Sequence, residues 1–322
     1  MKVCHLFEKK SGQIHEVDLT RALEAVKEGQ DFVWINLFEP PAEELEALSQ
    51  ALDVHELTIE DLRNSKVRPK VEEFENHLFV VFKALNLNEG EDPLDVINLN
   101  LLLFRNVLVS AHLKPVPAIK DLAQELEKRP AQMLKGPSFL LYRLLDLVVD
   151  EYFPILDELD EAADDMQTRL FEKFDPHVSS HIFDWKTKLA HLRRRVEAQR
   201  EILMNLSNRP QALIPPKVQV YLRDVYDHIV RIHDTLESHR DILQGAMDSY
   251  MTQVSYRMNE VMKVLSAVAT VMLPLSLLAG VFGTNFEVLP GSRNPHGFWI
   301  FVGVMVVIAV GNVVYFKRKK WF

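Results

Sequence analysis

"LAGVFGTNFEVLPG", residues 278 to 291, ends an apolar run with two glycines and an Asn amide, the tripeptide being Gly283-Thr284-Asn285. The run before it, Val264 to Phe282, holds about 19 residues without a charge, and Phe298 to Phe316 repeats the pattern. Each is long enough to cross a hydrocarbon core of roughly 30 Å as a helix. The loop between them has Arg293 as its basic residue, whereas Lys317, Arg318, Lys319 and Lys320 crowd the far end. The positive-inside rule puts that tail in the cytoplasm and the loop outside. Two crossings return the chain to its starting side, so the large N-terminal part is expected in the cytoplasm too.

A net charge of −9, with no long basic face before the tail, argues against nucleic acid as a partner. The lone Cys4 excludes an intrachain disulfide and fits a reducing compartment. "MKVCHLFEKK" lacks the apolar stretch of a signal peptide. Neither a Gly-rich phosphate loop nor a Ser-His-Asp arrangement at a strand–helix turn is present, and no enzyme is expected.

Residues 1–135 read as a cytoplasmic α/β domain. "DFVWINL" (31–37), "HLFVVFKALNL" (77–87), "DVINLNLLLF" (95–104) and "NVLVSAHL" (106–113) are strand-like, the last two as neighbours. "PAEELEALSQAL" and "HELTIEDL" read as short helices. Residues 136–263 are helix-compatible. The acids from Asp150 to Asp165 meet no basic residue, and "DWKTKLAHLRRRVEAQREIL" follows with six cations. That order predicts an antiparallel, charge-paired hairpin. His177 with His181, and His228 with His233, are close enough in sequence to share a metal, but read as ordinary surface or packing residues.

After Pro215-Pro216, residues 217–282 form one helix of roughly 100 Å at 1.5 Å per residue. Val218, Tyr221, Val225, Ile229, Ile232, Leu236, Leu243, Met247, Met251, Val254, Met258 and Val261 make a packing seam at helical spacing. One position further round lies a second stripe: Asp248, Thr252, Ser255, Asn259 and Met262, continuing through Leu265, Leu273, Ser276, Gly280 and Gly283. Small and polar groups at that spacing suit a pore, and also close contact between membrane helices. Two spans cannot enclose an ion path alone. A channel therefore requires a symmetric oligomer, in which Asp248 becomes a ring of carboxylates, Asn259 a ring of amides, and Met262 and Leu273 apolar constrictions.

Together these stretches resemble the CorA divalent-cation transporters, the two-span group with a Gly-x-Asn motif. "NEVMKVLSAVATVMLPLSLLAGVFGTNFE" is similar to the family's first span and motif, "YLRDVYDHIVRIHDTLESHRDIL" to its stalk, and "YFKRKKWF" to its terminus. "WINLFEPPAEELEAL", "LTIEDL" and "RPKVEEFENHLFVVFKAL" resemble its N-terminal domain. The resemblance implies an α+β membrane protein: a funnel-shaped homopentamer in the inner (plasma) membrane, conducting Mg2+ and also Co2+ or Ni2+. The divalent ion is both substrate and regulator, with no other cofactor. It divides the chain into the domain 1–135, a hairpin and stalk 136–263, a span 264–282, an external loop 283–297, a second span 298–316 and a basic tail 317–322. Gly283, Thr284 and Asn285 fall on the selectivity motif, with Thr284 where the family usually has Met. Asp224 falls on a regulatory cation site between subunits, its partner being Glu89, Glu91 or Asp92.

A ring of Asn285 amides offers neutral acceptors to the waters of Mg2+, an ion that dehydrates reluctantly. The loop keeps Glu287 but has Gly291 and Arg293 where the family often has acid. Two alternatives stand beside Mg2+ transport: a Zn2+ transporter of the ZntB type, and a non-conducting, membrane-anchored scaffold or sensor.

Overall fold

The computed structural model describes residues 2–29, 31–86, 96–129, 135–172, 177–285, 289–291, 294–319 and 321. Glu89, Glu91, Asp92, Glu287 and Arg293 lie outside them.

Strand β3 (Phe32–Phe38) is buried at nearly every residue. Only a strand covered on both faces achieves this. Six others join it in one sheet: β1 (Lys2–Phe7), β2 (Ile14–Val17), β4 (Lys70–Glu73), β5 (Leu78–Leu85), β6 (Val96–Leu103) and β7 (Val107–His112). Their order is β2-β1-β3-β7-β6-β5-β4. The β3–β7 pair is parallel, with Val33 opposite Val107, and the β6–β7 neighbours expected from sequence pair antiparallel. Because side chains alternate, Val33, Ile35 and Leu37 join Cys4, Leu6, Val107 and Val109 in one apolar cluster. Helices α1 (Leu19–Glu28), α2 (Ala42–Leu52) and α3 (Glu56–Arg63) contribute Ala22, Ala25, Leu45, Leu48 and Leu62 to that cluster. On the opposite face, Trp34 Nε1 donates to Ser110 Oγ at 3.0 Å, and that hydroxyl donates to Asn36 Oδ1 at 2.7 Å.

That second face is covered by α5 (Pro137–Asp150), which packs on β3, β5, β6 and β7, while α4 (Pro117–Lys128) packs on α5. Helix α5 buries Phe139, Leu140, Leu141, Leu144, Leu145, Val148 and Val149, the signature of a helix facing a sheet. The helices α6 (Phe153–Glu172) and α7 (Val178–Asn208) follow, then α8 (Pro216–Phe282) and α9 (Gly297–Arg318). The chain divides into two compact units, Met1–Ala246 and Met247–Phe322.

Two sequence expectations change. The acidic α6 and basic α7 do pack together, but their charges also turn to α8: Arg193 pairs with Glu237, and Asp160 faces His239 Nε2 at 3.3 Å. A third helix within reach thus takes up part of both charge sets. The α8 seam is buried from Val218 through Leu243, with Leu222 buried where Tyr221 was expected. Further on it is bare, Met251, Met258 and Val261 all being more than half exposed. Met247 and Val254, on the same stretch, are half-buried.

Candidate cation site and pore-helix motif

Within the first unit, α5 and α8 each present a pair of polar residues four apart, and thus on one helix face. Asp146 and Asp150 come from α5, Asp224 and His228 from α8. One ligand atom from each of Asp146, Asp150 and His228 lies within 4.8 Å of the others. His228 Nδ1 is 3.9 Å from Asp146 Oδ1 and 4.0 Å from Asp150 Oδ1. It is buried and makes no hydrogen bond. A buried ring nitrogen turned on two carboxylates without bonding either is set out like a ligand.

The local charges fit that role. Burial pushes the Asp146 carboxyl up despite the Arg143 guanidinium, whose Nη1 reaches Asp146 Oδ2. Burial does the same to Asp150, and then the charges of Asp146 and Asp224 push further. Two carboxyls held above their ordinary range are relieved by a cation between them. A set of oxygens suits Mg2+, and one imidazole nitrogen admits a softer ion such as Co2+ or Zn2+.

Asp224, the regulatory candidate from sequence, sits close enough to raise both Tyr142 and Asp150, after burial as the main cause in each. Asp146 and Asp150 were not singled out as ligands. Their signal was present in "LLDLVVDEY", where acids four apart interrupt a helix that is otherwise apolar. His228 does not join His233, which instead lies 3.0 Å from Glu197 of α7. The ring turns toward α7 while His228, more than one turn earlier, faces α5.

Among the described residues, α8 and α9 are the two helices long and apolar enough to cross a membrane, with mean hydropathies of 2.2 and 2.3 over their best windows. Ala267 is buried, and Val271, Pro274, Leu275 and Leu278 are half-buried. These five share one face of α8. Phe282 packs on Phe301 of α9 with centroids 4.7 Å apart. At 100° per residue, Met262, Leu265, Leu273, Ser276 and Gly280 point about 180° away from that covered face. All five are exposed, as are Asp248, Thr252, Ser255 and Asn259.

The helix stops where the tripeptide begins. Gly283 N donates to Ala279 O at 2.8 Å, and Thr284 Oγ1 donates to Val281 O at 2.7 Å. Carbonyls left over at a helix C-terminus are thereby satisfied. A Cβ on Gly283 would stand 2.9 Å from Ala279 O, so a side chain is excluded there by contact with backbone. Gly280 has nothing within 4 Å of its own Cβ position. Thr284 differs from Met in supplying a hydroxyl that closes the helix end, and Asn285 follows in irregular backbone, exposed.

The CorA-like Mg2+ transporter protein family matches residues 29–318. The chain belongs to this family. It is 35% identical over 290 residues to the cobalt/magnesium transport protein CorA of Thermotoga maritima, covering 89% of this chain and 83% of that protein. The complete structure of the CorA magnesium transporter from Methanocaldococcus jannaschii superposes with a TM-score of 0.86 at 23% identity, covering 100% of this chain and 99% of that one. The ZntB cytoplasmic domain from Vibrio parahaemolyticus gives a TM-score of 0.67 at 16% identity, over 79% of this chain and 98% of that one. The CorA fold thus extends over the whole chain, from the mixed-sheet domain through α8 to the two apolar helices. Membership of a transporter family places the chain among transporters and not among enzymes.

Proposed function

We propose that the chain assembles as a homopentamer in the plasma membrane, both termini cytoplasmic, and conducts hydrated divalent cations, Mg2+ above all and Co2+ with it. One observation carries this reading: the stripe of α8 lies exposed, opposite the face that holds buried Ala267, and runs into Gly283-Thr284-Asn285. An exposed face that is too polar in part for lipid is satisfied by copies of itself around water. Asp248 and Asn259 then form polar rings, Met262, Leu265 and Leu273 an apolar gate, and Asn285 the mouth. A doubly charged ion gains about 4.6 kcal/mol per 100 mV of inward-negative potential, enough to drive uptake without another energy source.

The carboxylates of Asp146 and Asp150, with His228 and Asp224, supply the regulation. When cytoplasmic cation is plentiful it neutralises this group and holds the closed arrangement; when it falls, repulsion loosens the packing and the gate wets. His228 also supports a second reading, in which Zn2+ or Co2+ is the better effector, because nitrogen favours the softer ion.

Liposomes holding the reconstituted protein and a cation-sensitive dye test the proposal. Mg2+ influx driven by a potential and lost in Asn285→Ala supports it. Faster Zn2+ influx than Mg2+ transfers it to zinc, and silence under every gradient leaves a scaffold.

A further inference from the structure

A cavity of about 510 Å3 in the first unit is lined by Glu125, Lys128 and Arg129 at the end of α4, by Lys135, by Phe139, Tyr142 and Arg143 of α5, and by Tyr221 of α8. Four cations face one carboxylate in a chain whose net charge is −9. That carboxylate is spoken for: Arg143 Nε donates to Glu125 Oε2 at 2.8 Å, and this bond holds the Glu125 carboxyl below its ordinary range. Lys128, Arg129 and Lys135 are exposed, and none is in an ion pair among the described residues. Lys128 and Arg129 close the C-terminal end of α4, where the helix dipole favours cations. Lys135 has no such reason to be there.

The other wall is aromatic. Phe139, Tyr142 and Tyr221 touch one another, with centroids 5.2, 5.5 and 5.0 Å apart. Lys135 Nζ sits 4.4 Å from the Phe139 centroid and 5.4 Å from that of Tyr221. An ammonium over two ring faces marks them as electron-rich, and of the two rings Tyr221 is the exposed one. A bare inorganic anion would use the cations and have no use for the rings; a metal cation would be repelled.

We propose that this cavity binds a nucleoside di- or triphosphate, its phosphates on Lys128, Arg129 and Lys135 and its base against Tyr221 at the exposed edge of the aromatic wall. The volume lies within the roughly 300–1,000 Å3 of small-molecule pockets. In the bound state the Lys135 ammonium leaves the ring faces for a phosphate, and the planar base replaces it there. No part of this requires the cation site or conduction.

Calorimetric titration of the full-length protein in detergent, with EDTA present, tests it independently of metal binding and of flux. ATP is expected to bind saturably at one site per chain, and inorganic triphosphate about tenfold more weakly or worse, a difference of roughly 1.4 kcal/mol. Lys135→Ala and Arg129→Ala, both at exposed positions, should each weaken ATP by about tenfold. Tyr221→Ala should weaken ATP while leaving triphosphate unchanged. The proposal is overturned by no saturable ATP binding, by triphosphate binding as tightly as ATP, or by full ATP affinity in the lysine and arginine variants. Displacement of ATP by a soluble inositol polyphosphate at equal concentration would overturn it too, in favour of a lipid headgroup.

Discussion

Asp146 Oδ1 and His228 Nδ1 stand 3.9 Å apart, one on α5 and the other on α8. That is too long for a hydrogen bond. Two ligands about 2.0–2.2 Å from one ion stand roughly 3.0–3.5 Å apart, so a bound cation would draw this pair together by about half an ångström. Co2+ should therefore raise the melting temperature of the detergent-solubilised protein, and both Asp150→Asn and His228→Ala should reduce the increase by at least about half. Mg2+ stabilisation should suffer more from the loss of Asp150 than of His228, since the harder ion prefers oxygen. Equal stabilisation of wild type and the double variant would remove these residues from cation binding.

Gly283→Ala should damage the mouth, because its Cβ would meet Ala279 O at 2.9 Å. Influx is expected to fall by about tenfold or more, equivalent to roughly 1.4 kcal/mol in the barrier. Gly311→Ala on α9, where a Cβ meets nothing within 4 Å, is the matched control and should conduct normally. Similar losses in both would show that contact with the Ala279 carbonyl is not the reason for glycine.

A single cysteine reports on the stripe cleanly, since native Cys4 is 1% exposed. Oxidation in membranes should link copies carrying Met262→Cys, on the exposed face of α8, and not copies carrying Ala267→Cys, on its buried face. The readout is a dimer band on a non-reducing gel. Linking through position 267 alone would turn α8 around and end the pore assignment.

Burial pushes the Glu151 carboxyl up to about 8, although it accepts from the Ala118 amide at 3.0 Å. In the unfolded chain the same group titrates near its ordinary 4.5. Between those values the folded protein keeps a proton that the unfolded chain has lost, so this group makes stability fall as pH rises from about 4.5 to 8. Glu151→Gln removes the titration and keeps an acceptor for Ala118. Its melting temperature should decline less than that of wild type between about pH 5.5 and 8. Parallel declines would show that Glu151 is ionised in the folded state.

What could be read from sequence was local or periodic. The β-branched runs at β3, β5, β6 and β7 announce strands, and the scarcity of Pro and Gly between Pro216 and Gly280, where only Gly245 and Pro274 occur, announces the long α8. Phase along α8 separates stripe from seam, and Ala267, Val271 and Leu278 show where α9 lies against it. Less legible was the opening hairpin of β1 and β2, whose charged "EKK" turn masks short strands. The parallel partnership of β3 with β7 was also out of reach, because a hydrophobic period says which face is buried and not which strand is the neighbour. The cation group was missed for a related reason. Asp146 and His228 are separated by the whole of α6 and α7, and helical periodicity does not give the register in which α5 meets α8.

The pairing of β3 with β7 has a consequence for biosynthesis. Val33 waits for Val107, so this part of the sheet cannot close until more than 70 further residues have been made. Once His112 has emerged, roughly 150 residues remain before Val264 begins the first apolar stretch. At about 5–20 residues per second, the ribosome gives the sheet on the order of ten seconds' lead over the translocon. The sheet can thus close while the greasy segments are still unmade, whereas the first compact unit, which runs to Ala246, is complete only 18 residues ahead of Val264.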